Sequence, residues 1–274
     1  MSDQPGDDSP PGALGVLTIL DLSEGVAGPY AALLLAAYGA RVIKVERPGS
    51  GDRLRRGGTA GNKPSPAGSV PFRQLNAGKL GLSLDYETAA GARLLARLAE
   101  DADAIIEDAP TRRQAALGLD AETLIAAVPR LVITTVKSGP VAAATAGLHV
   151  FYATLAALWS AAQTEHGQFV EVDERFASAS DHGPELSRRL GGGETAVVAA
   201  AAALARPAQR RERPRVDQPA EGRVALPPAP FRLTAAAATT AAAPLLGEHT
   251  RRVLGEFLGL EAAALDELRH DGVV

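Results

Sequence analysis

Residues 16–56 constrain the fold of this chain more than any other stretch, because they combine two short apolar runs with one apolar helix. The run Val16–Leu22 is rich in aliphatic and β-branched residues, which is typical of a strand buried on both faces. Pro29–Tyr38 is apolar nearly all round and predicts a buried helix, and Val42–Glu46 predicts a second strand. This is a βαβ unit, so we expect a parallel sheet with a right-handed crossover.

The turn Ser23–Gly28 is the first candidate for a binding site. It delivers the start of a helix to the carboxyl edge of the sheet, where backbone N–H groups and the helix dipole favour anions. The spacing Gly25-x-x-Gly28 differs from the dinucleotide fingerprint G-x-G-x-x-G. A plain structural crossover therefore remains an alternative for this turn.

The rest of the chain continues the same pattern. Four further segments predict strands: Leu80–Asp85, Ala104–Glu107, Leu131–Val136 and Gln168–Val172. Five segments predict helices: 88–100, 120–129, 146–163, 248–258 and 261–268. Residues 223–233 predict an edge strand and a Pro-rich turn, and residues 173–190 a polar helix. The order of the elements predicts an open α/β sheet.

Composition excludes several classes of function. The 274 residues carry a net charge of −4 and no cysteine, so bulk nucleic-acid binding and thiolate chemistry are not expected. The five histidines are scattered, and no metal is expected. Five arginines cluster in 206–215, but no aromatic residue is interleaved, so a solvated linker is favoured over a phosphate or nucleic-acid patch.

The ends and loops complete the expected organisation. Residues 1–13 are acidic and rich in Pro and Gly, which predicts a disordered leader rather than a signal peptide. No apolar run has membrane-spanning length, so we expect a soluble, cytoplasmic protein. Residues 57–74 predict a long loop of the kind that contacts ligands.

The run LDLSEGVAGPYAALLLAAYGARVIKVERPGSGD, residues 20–52, resembles the opening of class III CoA-transferases. This family includes formyl-CoA transferase, carnitine CoA-transferase and α-methylacyl-CoA racemase. Further segments agree in order: Leu75–Lys79 with L-N-x-G-K, Gly167–Val172 with G-Q-x-V-D-V, and the end of the chain from Pro230. The resemblance covers 14–178 and 222–274. It implies a Rossmann-like sheet with a C-terminal return segment and a small domain reduced to 179–221.

The resemblance also implies a ligand, an acyl-CoA thioester lying along the carboxyl edge of the sheet. A cationic side chain near a pyrophosphate or thioester is physically sensible. Without the resemblance, Lys79 and Lys137 would be taken as ordinary surface lysines. By position, the residues that line the CoA site are Val26, Ala27, Gly28, Leu75, Lys79 and Lys137.

Two features depart from the family pattern. Family transferases use an aspartate that attacks the thioester, and Phe176 stands at its position. Asp173, one helical turn earlier, is the candidate substitute, with Asp181 also nearby in sequence. The family segment N-F-R is replaced from Asp108 to Pro110, where Arg112 or Arg113 is expected to substitute for the lost cation.

These departures leave alternatives open. The first is a divergent CoA-transferase that moves CoA between carboxylic acids. The second is a non-catalytic homologue, a pseudoenzyme that serves as an accessory or partner subunit. A third is a nucleotide-binding domain with Glu46 on a ribose, which the missing glycine fingerprint disfavours. The resemblance further implies a homodimer, or a heterodimer with a related chain.

Overall fold

The computed structural model describes residues 12–56, 67–108, 110–137, 144–173, 214–219, 221–230, 233–236 and 238–274. Residues 1–11 of the leader predicted over 1–13, residues 174–190 of the helix predicted over 173–190 and most of the Arg-rich stretch therefore lie outside the described residues. Asp173, the first residue of that predicted helix, ends a strand instead.

Six parallel strands form the central sheet, in the order β3-β2-β1-β4-β5-β6. Their bounds are β1 Thr18–Asp21, β2 Arg41–Glu46, β3 Leu80–Ser83, β4 Ala104–Asp108, β5 Val132–Lys137 and β6 Phe169–Asp173. All six correspond to predicted strands, so the open α/β fold is confirmed. The chain leaves β1 toward β2 on one side and returns to β4 on the other, which creates a topological switch point between β1 and β4.

Helices cover both faces of this sheet. Ile19 and Leu20 are adjacent in β1 yet belong to different core clusters, because successive side chains of a strand point to opposite faces. The eight α-helices in the described part are α1 Ala27–Ala37, α2 Val70–Leu75, α3 Ala89–Glu100, α4 Arg112–Ala116, α5 Ala121–Ala127, α6 Ala144–Thr164, α7 Thr250–Leu258 and α8 Ala262–His270, and Arg53–Arg56 form a short 3-10 helix. One face of the sheet packs against α1 and α6, and the other against α3 and the C-terminal helices.

Two short helices correct the sequence analysis. Helix α2 lies within the segment that was expected to be a loop, where the Ser69 side chain accepts a hydrogen bond from the N–H of Phe72 and so caps the helix. Helix α4 is closed by a capping box of Thr111 and Gln114. Both helices have fewer than seven residues, too short to show a periodic apolar pattern.

The C-terminal segment returns to the sheet, as predicted. Val253 and Leu254 of α7 are fully buried in the same core cluster as Leu82 of β3. The exposed edge of β3 is satisfied by the residues that start α7: His249 Nδ1 accepts from the N–H of Gly81 at 3.0 Å, and Thr250 Oγ1 accepts from the N–H of Ser83 at 2.9 Å. These bonds close one edge of the sheet to further pairing.

A small antiparallel hairpin lies beside the main sheet. Its strands are β7 Arg215–Gln218 and β8 Gly222–Ala225. Arg215–Gln218 were expected to belong to a flexible linker. Residues 223–233 were predicted to form an edge strand and a Pro-rich turn, and the strand is Gly222–Ala225. Gln218 is buried and its side chain bonds to both backbone groups of Ala243, at 2.9 and 3.1 Å. That bidentate amide contact explains why polar residues form a strand here.

Within the described residues, every helix is too short or too polar to span a membrane.

Candidate functional site

The candidate site begins where β1 ends. Leu22 to Val26 run along the carboxyl edge of the sheet, and α1 starts at Ala27 without a side-chain cap on its N-terminus. The N–H of Glu24 donates to Asp108 Oδ2 at 3.0 Å, which ties this segment to the end of β4. The switch point therefore presents an uncapped helix start, the local chemistry that favours anionic ligands.

Glycine is required at two positions between the end of β1 and the first turn of α1. Gly25 adopts a φ of +81°, a left-handed conformation that other residues rarely adopt. At Gly28, a Cβ would lie 2.1 Å from the hydroxyl of Ser23. The close approach of α1 to the turn therefore depends on the missing side chain at position 28.

A row of three buried charges lies beneath the segment. Lys79 Nζ donates to Asp21 Oδ2 at 2.7 Å, to the carbonyl of Pro29 at 2.9 Å and to Asn76 Oδ1 at 2.8 Å. Lys44 Nζ lies 3.8 Å from the same Asp21 oxygen and donates to the carbonyl of Ser23. The three protons of the Lys79 ammonium are thus all used inside the protein.

The charges of this row shift each other's proton affinity. Burial pushes the pKa of Asp21 upward, but the ammonium groups of Lys44 and Lys79 outweigh it and hold the pKa below its usual value. Burial, reinforced by the nearby Lys44, lowers the pKa of Lys79 to about 8 in spite of its ion pair with Asp21. Burial alone would also lower the pKa of Lys44, yet Asp21 and its other acidic neighbours raise it.

A second set of charges continues the row toward the end of β2. Asp52 lies 3.1 Å from Lys44, and the two oxygens of Glu46 accept from Arg55 at 2.6 and 2.7 Å. Glu46 also accepts from the N–H of Asp52. Because Glu46 is buried and bonded in this way, it does not reach a ribose, and the third alternative is wrong on this point.

The charges of three carboxylates and three cationic side chains therefore balance one another below the candidate site, and each of these residues is 4% exposed or less. They are Asp21, Glu46, Asp52, Lys44, Arg55 and Lys79, and we call them the buried charge network.

A cavity of about 200 Å³ opens at the same edge, between the ends of β1 and β4. Its apolar wall consists of Leu22, Leu95, Ile105, Leu119 and Leu124, and its polar wall of Glu24, Arg47, Tyr86, Glu107, Asp108, Thr111 and Gln114. Ligands of open α/β sheets bind in such a crevice.

Two carboxyl groups of the cavity have a raised pKa. Burial raises the pKa of Glu107 to about 7, although its hydrogen bond from Thr135 Oγ1, at 3.0 Å, acts in the opposite direction. Burial raises the pKa of Asp108 to about 6, against the bond from the N–H of Glu24. Both groups are partly protonated near neutral pH, and a protonated carboxyl can donate a hydrogen bond to a ligand.

Arginines provide the positive charge around this cavity. Arg47 lines it and pairs with Glu87 at 2.9 Å. Arg53 is exposed and donates to the carbonyl of Glu24 at 3.3 Å. Arg112 and Arg113 are exposed on α4, which directly follows the cavity residue Thr111. The interior is thus acidic and the surroundings cationic.

The predicted site residues fall into two groups. Val26, Ala27 and Gly28 start α1, and Lys79 reaches this turn from below through the carbonyl of Pro29. Leu75 is half-buried and ends α2.

The other group lies at the far side of the sheet. Lys137 ends β5 and pairs with Glu171 at 2.6 Å, and Asp173 ends β6 directly opposite Lys137 in the strand register. Phe176 and Asp181 lie outside the described residues. Whether these residues contact CoA stays a prediction.

The sequence analysis missed Asp21, Lys44 and Asp52 as parts of the site. A signal was present: Asp21 and Lys44 are charged residues within apolar strand segments, at positions that the parallel-sheet interpretation requires to be buried. Buried charges need partners, so the two could have been paired with each other from the sequence.

Across the described residues, no group of three or more His, Asp or Glu side chains is arranged to hold a metal ion.

Comparison with known proteins shows which family this chain resembles. Residues 14–139 match the sequence profile of CoA-transferase family III. The chain is 39% identical over 130 residues to the succinyl-CoA:(R)-benzylsuccinate CoA-transferase subunit BbsE of Thauera aromatica, covering 46% of this chain and 31% of that protein. It is 35% identical over 129 residues to the formyl-CoA:oxalate CoA-transferase of Afipia carboxidovorans, covering 47% and 30%. The match spans about a third of each of these relatives.

Solved structures agree in fold. A CAIB/BAIF family protein from Brucella suis superposes with a TM-score of 0.68 at 21% identity, over 90% of this chain and 100% of that chain. The protein Rv3272 from Mycobacterium tuberculosis gives a TM-score of 0.68 at 18% identity, over 90% and 100%. The profile of CoA-transferase family III matches residues 14–139, so the resemblance drawn from the sequence is confirmed over that part of the chain.

The raised pKa of Glu107 predicts that stability falls as pH rises. The folded state binds this proton more tightly than the unfolded state, so the contribution is complete below about pH 4.5 and is lost as pH rises through about 7. Because of Glu107, the free energy of unfolding of the wild type should fall by on the order of 2 kcal/mol between pH 5 and 8. Glu107→Gln keeps the shape of the side chain but cannot titrate, so we expect this fall to be absent in the variant. Urea unfolding across this range measures it.

Comparing Glu107→Gln with the wild type separates the titration of Glu107 from that of Asp108 and of His249. The lowered pKa of His249 makes stability rise with pH, which is the opposite direction. Glu267→Gln, on the exposed side of α8, is the control and should keep the wild-type slope. A Glu107→Gln protein with an unchanged slope would contradict the prediction.

Proposed function

We propose that this chain binds an acyl-CoA thioester at the carboxyl edge of the sheet and takes part in the transfer of CoA between carboxylic acids. One observation carries the proposal: the segment that matches CoA-transferase family III builds a fixed turn and an uncapped helix start at the switch point of the sheet. Ligands of this fold class bind at that place.

The proposed site has separate groups for the parts of CoA. The start of α1 and the arginines Arg47, Arg53, Arg112 and Arg113 offer N–H donors to the phosphates. The cavity beside Glu107 has an apolar wall and carboxyl groups suited to an uncharged part of the ligand. Lys137 and Asp173 lie further along the edge, where the proposal places the thioester.

The proposed chemistry is attack of a carboxylate on the thioester carbonyl. The carboxylate oxygen bonds to the acyl carbon, the C–S bond breaks, and CoA leaves as a thiolate. The anhydride that forms is close in energy to the thioester, so the acyl group can be exchanged in both directions. Asp173 is the candidate for this carboxylate.

A specific observation favours a second candidate function. Phe176 stands where the family has its nucleophilic aspartate, and a phenyl ring cannot attack a thioester. A chain that binds acyl-CoA without turning it over would serve as an accessory subunit beside an active relative. The Thauera relative is itself described as a subunit. The cytoplasm remains the proposed location for either function.

A carboxylate at position 26 should weaken CoA binding. Val26 is half-buried at the start of α1, so the charge of Val26→Asp would repel the phosphates and compete for the same N–H groups. The isosteric Val26→Asn carries no charge. We expect the aspartate to lower the affinity for CoA at least about tenfold relative to the asparagine, measured by titration calorimetry.

Calorimetry of the wild-type chain with CoA and several acyl-CoAs is the matched reference. Equal affinities of the aspartate and asparagine variants would show that the phosphates bind elsewhere. No heat with any of the CoA compounds would contradict the proposed function itself.

We expect CoA transfer by this chain alone to be slower than ordinary enzyme rates of about 1–10³ per second. A displaced carboxylate is a poor substitute, because misplacement by about 1 Å can cost two orders of magnitude. Residual activity should disappear in Asp173→Asn while CoA binding remains. Trapping with hydroxylamine measures the anhydride, and the exposed Asp217→Asn on β7 is the control.

Transfer at ordinary rates would refute the expectation of weak activity. If Asp173→Asn then kept that rate, the family mechanism would not apply through this residue. Absence of any trapped acyl group, with CoA binding intact, would favour the accessory function.

We further propose that the chain forms a homodimer, or a heterodimer with a full-length relative, through α6. Tyr152 and Trp159 are seven residues apart on one side of this helix and are 58% and 71% exposed. Large exposed apolar patches mark protein interfaces. Trp159→Lys should lower the mass seen by light scattering at micromolar concentration, whereas Val16→Lys, at an exposed apolar residue that is not part of α6, should not. A monomeric wild-type mass, with no complex formed with a relative, would count against this proposal.

A further inference from the structure

The backbone that is proposed to bind CoA is held at both ends by buried ammonium groups. Lys44 donates to the carbonyl of Ser23, where the segment 23–29 begins. Lys79 donates to the carbonyl of Pro29, where it ends, at 2.9 Å. Both lysines are 2% exposed or less, so neither ammonium is solvated instead.

Asp21 joins the two ends into one closed set of bonds. Its Oδ2 accepts from Lys79 at 2.7 Å and lies 3.8 Å from Lys44. Its Oδ1 accepts from the hydroxyl of Ser23 at 2.6 Å and from the N–H of Ser23 at 3.2 Å. The carboxylate is fully buried and in contact with the segment that it orders.

Stability alone gives a weak reason for this arrangement. Desolvating charged groups is costly, and well-packed apolar residues in place of a buried ion pair are often neutral or stabilising. The buried charges here have a common feature besides their pairing, which is that both lysines and the aspartate bond to the backbone or side chain of segment 23–29. Their geometry therefore points to positioning.

We infer that Asp21, Lys44 and Lys79 are positioning residues, which fix the backbone of 23–29 so that the first N–H groups of α1 are in place before the ligand binds. Only the identity of the ligand rests on the proposed function; the fixing of the segment does not. Lys79 then acts through the carbonyl of Pro29 rather than by touching CoA. A ligand that meets a preordered segment loses less affinity to ordering.

The test compares Lys79→Met with Arg73→Met. Arg73 is a matched control, because it is also a buried cation with an ion pair, to Glu221 at 2.6 Å, but it lies on α2 and bonds to Gly68 rather than to the segment. The double variant Asp21→Asn with Lys79→Met, called the neutral pair, removes both charges of this ion pair. It shows whether the unpaired charge of Asp21 causes the effects of Lys79→Met. Three quantities are measured: amide exchange of 23–28 without ligand, affinity for CoA, and unfolding in urea.

We expect Lys79→Met and the neutral pair to speed amide exchange in 23–28 and to weaken CoA binding about tenfold, the factor for one backbone residue that must be ordered on binding. Arg73→Met should change stability but neither of the other two quantities. A purely structural lysine would lower stability in urea and leave the affinity of the folded protein unchanged.

The outcomes separate the inference from the proposed function. If the wild type binds CoA and Lys79→Met binds it equally with unchanged exchange, positioning is refuted and the function stands. If the wild type does not bind CoA, the function fails, and the exchange data alone decide on positioning. Should Lys79→Met not fold, Ser23→Ala, which removes only the 2.6 Å bond to Asp21, replaces it in the same comparison.

Discussion

The carboxylate of Asp21 is the constraint on which the candidate site depends. It is completely buried at the end of β1, so its charge must be matched within the protein. Lys79 and Lys44 supply the match, and each carries a further bond to the backbone of the segment that follows. Removing one partner of such a pair typically costs about 3–5 kcal/mol, because the other charge stays buried. The geometry of the turn is thereby coupled to the burial of three charges, which is a stiffer restraint than turn hydrogen bonds alone.

This coupling also explains how an acidic cavity can lie beside a site proposed for a phosphate-bearing ligand. The lysines closest to β1 are paired inside the buried charge network. Burial raises the pKa of both Glu107 and Asp108, and at Asp108 it outweighs the opposing effect of Lys44. Positive charge is left to the arginines around the cavity and to the start of α1. The edge therefore has three electrostatic layers, with a neutral network below, protonatable acids in the middle and arginines outside. A ligand with phosphates at one end and an uncharged body fits such a gradient better than a uniformly anionic one.

The sequence predicted the six strands because each is a short, mostly apolar run near a turn or a helix cap, which is typical of strands in a parallel sheet. It did not predict α2, α4 or β7, which are held by local caps and by the contact of Gln218 with Ala243 rather than by apolar periodicity. For the site, the turn at Val26 could be predicted from the expected start of the helix. The bond from Lys79 to Asp21 could not be predicted, because the ammonium reaches Asp21 across β2. Such a contact depends on strand register rather than on spacing along the chain.

The two groups of predicted site residues are separated by the width of the sheet between them. Val26 follows β1 and Asp173 ends β6, with β4 and β5 in between. Three inter-strand spacings amount to roughly 14 Å along the carboxyl edge, too far for a small acid to bridge and suited to an elongated ligand. If one ligand occupies both ends of this edge, the protein backbone should be preordered at the end where the ligand is recognised. Flexible parts of a ligand adapt at lower cost than a misplaced protein backbone. The buried charge network lies under the α1 end, whereas Lys137 and Glu171 at the other end form an exposed pair. The distribution of burial thus fits the proposal that the start of α1 recognises the ligand and that the far end accepts different acyl groups.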